Sequence, residues 1–234
     1  MNESATRFRM EVMTKYLDIE NWHRRPIFNF FKDYDNPFFN VCVQVDVTAL
    51  LNLTRAVKEI SFTLAYHFLA LKAVNELESF HYRLRGERVI VYERIHAGTT
   101  VLLDDGRFTF CYFDYEEEFG RFQAGARAAI EQARAAHDRT DMGAAERDDL
   151  IHCSVLPWLS FTSISHARRW SSGDSIPKFS FGKHYEEGGI VKMPFSVEVH
   201  HALMDGLDVG RYFELVETYL SDPALSLGVS SETL

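Results

Sequence analysis

The stretch Ile190-Val-Lys-Met-Pro-Phe-Ser-Val-Glu-Val-His200-His201-Ala-Leu-Met-Asp205-Gly206 passes from an apolar run directly into a polar cluster. Residues 190–199 are nearly continuous in apolar side chains, the pattern of a strand covered on both faces, and predict a central strand. Imidazole is the one side chain whose ordinary pKa suits proton transfer near neutrality, so a His pair at the end of such a strand is a candidate for chemistry. Gly206 is expected to permit a sharp turn into a following helix. Neighbouring residues of a strand point to opposite faces, which argues against His200 and His201 sharing a metal ion. On spacing alone, a satisfied core histidine with Asp205 as a helix cap stands level with a catalytic reading.

Outward from this stretch, period-2 and period-3.6 patterns alternate. Residues 39–48 are β-branched, with Val41, Val43, Val45 and Val47 on one face, and predict a half-buried strand. Ser61 is placed to cap a helix over residues 62–78, with Leu64, Phe68, Leu71 and Val74 as its apolar stripe. Two hairpins are predicted, over 82–85 with 88–92 and over 99–103 with 108–112. An Ala/Glu/Arg-rich helix over 116–137, a polar loop to 149, a strand over 150–155 and a last helix over 207–220 complete the pattern. Helices and hairpins without a regular βαβ rhythm indicate an α+β fold with a mixed β-sheet flanked by helices. No internal repeat or long linker divides the chain, so 1–234 is expected to be a single domain with a flexible extension at 1–15.

The 234 residues carry a formal net charge of −9, which sets aside nucleic acid or an anionic membrane as the main partner. No apolar run approaches the roughly 20 residues that a membrane span needs. The first seven residues lack the apolar core of a signal peptide. Three cysteines, an odd number without Cys-x-x-Cys spacing, argue against a disulfide scaffold or a thiolate metal site and point to a reducing cytoplasm. Aromatic residues make up 14% of the chain, including 19 Phe, and composition leaves open whether they fill a core or line a ring-binding pocket.

Two further clusters stand out. Cys153-Ser154-Val-Leu-Pro-Trp158 places a hydroxyl near a strand end but lacks the Gly-x-Ser-x-Gly elbow of a hydrolase, and reads alone as an ordinary strand terminus. Asn21-Trp-His-Arg24-Arg-Pro-Ile-Phe-Asn-Phe30-Phe31 is either a surface arm or the source of an arginine that reaches a buried carboxylate.

Taken together and in order, these three clusters resemble the chloramphenicol acetyltransferase family over about residues 18–220. Histidine, three residues and Asp-Gly also occur in other CoA-dependent acyltransferases and condensation domains; the other two motifs point to the narrower family. The resemblance implies a two-layer CoA-dependent acyltransferase fold and a homotrimer with active sites at subunit interfaces. Acetyl-CoA would be a co-substrate, with no permanently bound cofactor and no metal. His201 would be the general base, its ring held by its own backbone carbonyl, and Ser154 would donate to the tetrahedral oxyanion. Arg24 and Asp205 would form a structural ion pair rather than a proton relay. The acceptor pocket would draw on Phe30, Phe31, Phe108 and Phe110. Phe31 stands where the family has tyrosine and Phe110 where a small residue is usual; Asp35-Asn36-Pro37 replaces a more apolar stretch. Lys183 and His184 would contact CoA, with His184 in place of a tyrosine, and Ser180 would help hold a water. The implied activity is acetylation of a chloramphenicol hydroxyl, an antibiotic-resistance function. A related acyltransferase for another alcohol or amine, and a binding protein that keeps the fold without catalysis, remain as alternatives.

Overall fold

A computed structural model describes residues 15–136, 147–168 and 173–229. The polar loop and most of the N-terminal extension expected above, residues 137–146 and 1–14, lie outside them.

The chain begins with β1 (Lys15–Tyr16), α1 (Arg25–Phe31), β2 (Phe38–Asp46), α2 (Thr48–Ala56) and α3 (Phe62–Glu76). A short 3-10 turn at Glu78–His81 leads into β3 (Tyr82–Arg85), β4 (Arg88–Val91), β5 (His96–Leu102) and β6 (Phe108–Phe113). There follow α4 (Phe119–Ala135), β7 (Leu150–Leu156), β8 (Lys178–Gly182), β9 (Tyr185–Glu187), β10 (Ile190–His200), α5 (Gly206–Ser221) and α6 (Pro223–Ser226). The larger sheet runs β2-β10-β8-β7-β5-β6, with β9 added beside β10, and a separate small sheet runs β1-β4-β3. β7 is parallel to both β5 and β8 while the other pairs are antiparallel, so the sheet is mixed as expected. β10 is interior, bonded along its length to β2 on one side and to β8 and β9 on the other.

One face of this sheet is the core. Phe179, Phe181, Phe195, Val197 and Val199 pack there with buried residues of α3 and α5 such as Phe68, Leu71, Tyr212 and Val216. The four predicted stripe residues of α3 are all buried, but so are Ala65, Tyr66, His67, Leu69 and Ala70. An apolar helix without a polar face is a core helix, here enclosed by sheet, α4 and α5. Ser61 caps it by accepting from the Leu64 N–H.

Several boundaries differ from the pattern reading, each for a local reason. The strand over 39–48 stops at Asp46, whose Oδ1 accepts from the Thr48 N–H and turns the chain into α2, a helix that periodicity did not separate from the strand. The helix expected from 116 starts at Phe119, the first apolar side chain after three glutamates and a buried one. β8 leaves no pattern of its own because it has only five residues, starting after Pro177 and ending on a constrained glycine: a Cβ on Gly182 would lie 2.9 Å from the Leu159 carbonyl oxygen. Gly206 makes no sharp turn. It has no positive φ and is the first residue of α5; residues 201–203 make the turn instead, and Asp205 caps the helix in a reciprocal capping box with Asp208.

His67 is buried, its Nδ1 donating to the Thr63 carbonyl at 2.8 Å and its Nε2 without a partner among the described residues. Burial pushes its pKa down to about 4, against about 6.5 for an unfolded histidine. Between those values the unfolded chain binds the extra proton, so stability falls as the pH is lowered through the window. The slope expected from His67 is on the order of 1 kcal/mol per pH unit, and His67→Phe should flatten the acid limb of a stability-versus-pH curve measured by urea unfolding between pH 6.5 and 4. An unchanged limb would show that His67 is not what titrates.

Candidate active site

β10 delivers two adjacent imidazoles to different surroundings. His200 is buried against the edge of the Phe38 ring at 5.0 Å, and burial lowers its pKa to about 4. His201 begins the turn on the other side, its ring stacked on Phe31 at 4.0 Å and 7° and tilted against Phe39 at 4.7 Å. Its backbone N–H donates to the Pro37 carbonyl at 2.7 Å, fixing the turn against the start of β2. Nδ1 of His201 is buried and has no hydrogen-bond partner among the described residues; the His201 carbonyl instead accepts from Arg24 Nη2 at 3.4 Å.

Arg24 is buried just before α1, where Pro26 suits the first helical turn. Its guanidinium forms an ion pair with the Asp205 carboxylate, lies 3.8 Å from Asp208 and faces the Trp22 ring at 5.9 Å. Asp205 therefore fills two roles at once, helix cap and ion-pair partner. Burial opposes its ionisation, but Arg24 and the N–H groups of Leu207 and Asp208 bring its pKa below the ordinary carboxylate value. Phe30 and Phe31 follow on α1 and form an aromatic group with Tyr34, with Phe30 61% exposed.

A second group occupies the sheet face opposite the core. Ser154, Ser180 and Ser196 lie side by side across β7, β8 and β10. Ser154 lines a cavity of about 560 Å³ together with Thr100, Phe110, His152, His166, Arg168 and Lys178. Phe110 and Phe108 are partly exposed neighbours on the edge strand β6, with their rings 5.8 Å apart. Ser180 is fully buried and its Oγ lies 2.8 Å from His166 Nε2. Burial lowers the pKa of His166 and brings that of His152 to about 4, which favours neutral rings at pH 7.

Lys183 and His184 form a third, exposed group at the turn after β8. The loop carrying Trp158 is tied to it: Lys183 N–H donates to the Leu159 carbonyl at 2.7 Å, and Ser160 Oγ donates to the Lys183 carbonyl at 2.6 Å. The His184 ring meets Phe62 edge-on at 5.6 Å.

The three groups do not converge within one chain. Ser196 lies level with Ser154, two strands away, and His201 is five residues farther along the chain, just past the end of β10. At about 3.3 Å per residue and about 4.8 Å per strand, His201 and Ser154 are rooted on the order of 20 Å apart. The cavity beside Ser154 is not lined by His201, Phe30 or Phe31.

His166, His152, Lys178 and Phe62 escaped the sequence reading. His166 belongs to an irregular segment without periodicity, and no pattern links it to Ser180. Lys178 had a usable signal, since it precedes Ser180 by two and so shares its face. Among the described residues no group of His, Cys, Asp or Glu is arranged to hold a metal ion, and no helix is long and apolar enough to cross a membrane.

Removing one member of the Arg24–Asp205 pair strands the other in a largely dry position. Arg24→Met and Asp205→Asn are each expected to cost about 2–4 kcal/mol in guanidinium unfolding, less than a fully enclosed pair because Asp205 keeps some solvent contact. The double variant should cost less than the sum by about 1 kcal/mol or more. Additive losses would mean that the two charges are not energetically coupled.

A family model described as "CAT: Chloramphenicol acetyltransferase" matches residues 12–217. A chloramphenicol acetyltransferase of Escherichia coli is 26% identical over 207 residues, covering 88% of this chain and 93% of the relative. A solved chloramphenicol acetyltransferase is 31% identical with a TM-score of 0.81, covering 89% of this chain and all of that one. The cubic core of the pyruvate dehydrogenase multienzyme complex, at 18% identity and a TM-score of 0.62 over 82% of this chain and 84% of that one, shares the fold alone.

Proposed function

The chain belongs to the chloramphenicol acetyltransferase family and is an acyltransferase, and from this we propose that it transfers acetyl from acetyl-CoA to a hydroxyl of a small acceptor, chloramphenicol being the reference acceptor. The single-domain chain works as a homotrimer, with His201 of one copy facing Ser154 of its neighbour. The observation that carries this reading is the separation of the two residues within one chain, on the order of 20 Å, together with a cavity that holds only the Ser154 half.

In this mechanism the acceptor hydroxyl lies against Phe30 and Phe31, with the Phe31 ring fixing the plane of the His201 imidazole. Since Nδ1 is buried, Nε2 is the nitrogen that meets the hydroxyl. As the acceptor oxygen bonds to the thioester carbon, its proton passes to Nε2 and the carbonyl electron pair moves onto oxygen. Ser154 Oγ–H donates to that oxyanion. When the intermediate collapses, the C–S bond breaks and the CoA sulfur takes the proton from the imidazolium. No acyl-enzyme is needed, because both substrates are held close and oriented at one seam. The Arg24–Asp205 pair positions His201 through its carbonyl and takes no proton. Lys183 is the cation nearest to hand for CoA, and the His184–Phe62 pair offers rings for its adenine. Phe108 and Phe110 belong to the acceptor side, and Ser180 helps hold a water on the CoA side of the reaction centre. Acetylation of chloramphenicol in this way would be an antibiotic-inactivating reaction.

A second reading, an acyltransferase whose best acceptor is another alcohol or amine, is favoured by the polar lining of the Ser154 cavity. The presence together of His201, Ser154, Arg24 and Asp205 speaks against a binding protein without catalysis.

Purified protein with acetyl-CoA, chloramphenicol and a thiol reagent should release CoA above background; no release with chloramphenicol or any of a set of alcohols and amines would sink the enzyme reading. His201→Ala should lower kcat by about 10²–10⁴ with ligand binding retained, and Ser154→Ala by about 10²–10³. Full turnover in His201→Ala would remove the general base. Co-expression of the two inactive variants in equal amounts should restore about a quarter of wild-type activity, the fraction of seams in a mixed cyclic trimer that pair an intact His201 with an intact Ser154. Activity no higher than that of the separate variants would show that the site lies within one chain.

A further inference from the structure

The Ser154 cavity contains cations of two kinds. Arg85 and Arg147 are neutralised in place, the first by both oxygens of Asp148 and the second by Asp149 and Asp114. Lys178 is different. Its Nζ donates to the Ala167 carbonyl at 2.6 Å, and no carboxylate among the described residues lies within ion-pair distance. Asp174 and Glu198, the acids nearest it, are engaged by Arg168 at 2.9 and 2.6 Å. Burial first, and then the neighbouring Arg168, push the Lys178 pKa down, while Asp174 and Glu198 at longer range oppose the shift.

Arg168 has a demand of its own. Its side chain is 3% exposed and lies over the Phe38 ring at 3.5 Å, yet Nη2 is buried without a partner among the described residues while Nε and Nη1 are bonded. A buried donor left unpaired is costly, and every unmet group here can donate. The lining therefore calls for an electron-rich ligand group, and an anion satisfies Lys178 best.

The placement fixes how far that group stands from the reacting end. Lys178 pairs with His152 and Ser180 pairs with Ser154, so Lys178 is a diagonal neighbour of Ser154 on the same face. Such neighbours are about 7–8 Å apart, a span that one ring covers, and about 560 Å³ accommodates a molecule of that size with room to spare.

We infer that the acceptor carries an anionic group, a carboxylate in its simplest form, which seats on Lys178 and Arg168 while its hydroxyl or amine lies beside Ser154. This rests on the acyltransferase reading above for which end of the acceptor reacts. The Phe110 ring, 40% exposed at the cavity, supplies the apolar wall between the two ends.

The test compares para-(hydroxymethyl)benzoate with the neutral para-(hydroxymethyl)benzamide by isothermal titration to the full chain at low salt, without acetyl-CoA. The carboxylate should bind about tenfold tighter or more. Lys178→Met should collapse the ratio toward one and Lys178→Arg should keep most of it. Equal affinities, no measurable binding of either, or a ratio that persists in Lys178→Met would each overturn the inference; equal affinities are also what a carboxylate from a neighbouring copy, already seated on Lys178, would produce. The wild-type ratio decides the matter alone if Lys178→Met does not fold. CoA release from chloramphenicol is read separately, so a failure of the enzyme reading and a failure of the anion site give different results.

Discussion

Arg24 is the constraint around which the site is arranged. Its guanidinium lies between α1 and the first turn of α5, two elements separated by most of the chain, and binds the Asp205 carboxylate and the His201 carbonyl together. One side chain thus sets the start of α5, the turn that presents His201, and the angle at which α1 brings Phe31 onto the imidazole. A lysine could supply the charge but not the fork that reaches two partners at once. The second core cluster, with Trp22, Phe28, Tyr82, Ala202 and Leu203, forms around this arginine and keeps much of the pair from water.

The sheet organises what remains. Its core face carries phenylalanines and valines against α3 and α5, while the opposite face carries Ser154, Ser180 and Ser196, with Arg168 and Asp174 beside them. Because side chains alternate along each strand, the same five or six strands serve both purposes without compromise. The aromatic abundance divides along this line. Phe68, Phe179, Phe181 and Phe195 are core, whereas Phe30, Phe108 and Phe110 keep open faces.

How much of this was legible in the sequence follows from range. β10 was readable because eight consecutive residues, Met193–His200, are buried, and the apolar ones among them leave a nearly continuous signature. The Ser61 cap and α3 were readable because capping and periodicity are local. The ionic and aromatic partners of the three clusters were reachable only through the family resemblance, since nothing in the spacing of Arg24 and Asp205 tells that they meet. The turn at 201–203 was misplaced onto Gly206 because a glycine after a strand suggests a turn, while the capping box that makes Gly206 helical depends on Asp208 reaching back. His166, Lys178 and Arg168 come from a segment or strand too short for any period, and their meaning is set by what the sheet places opposite them.

The level row from Ser154 to Ser196, and the five further residues to His201, also bear on how such a protein can change. If base and cavity meet only across a seam, the two ends of the chemistry are encoded by surfaces that never touch in the chain that bears them. A substitution in the cavity can then alter the choice of acceptor while the base, its arginine and its aromatic floor stay as they are. On the same condition, a single chain, newly made and alone, carries both halves and performs neither, so the onset of activity is a question of encounter and depends on how much protein is present.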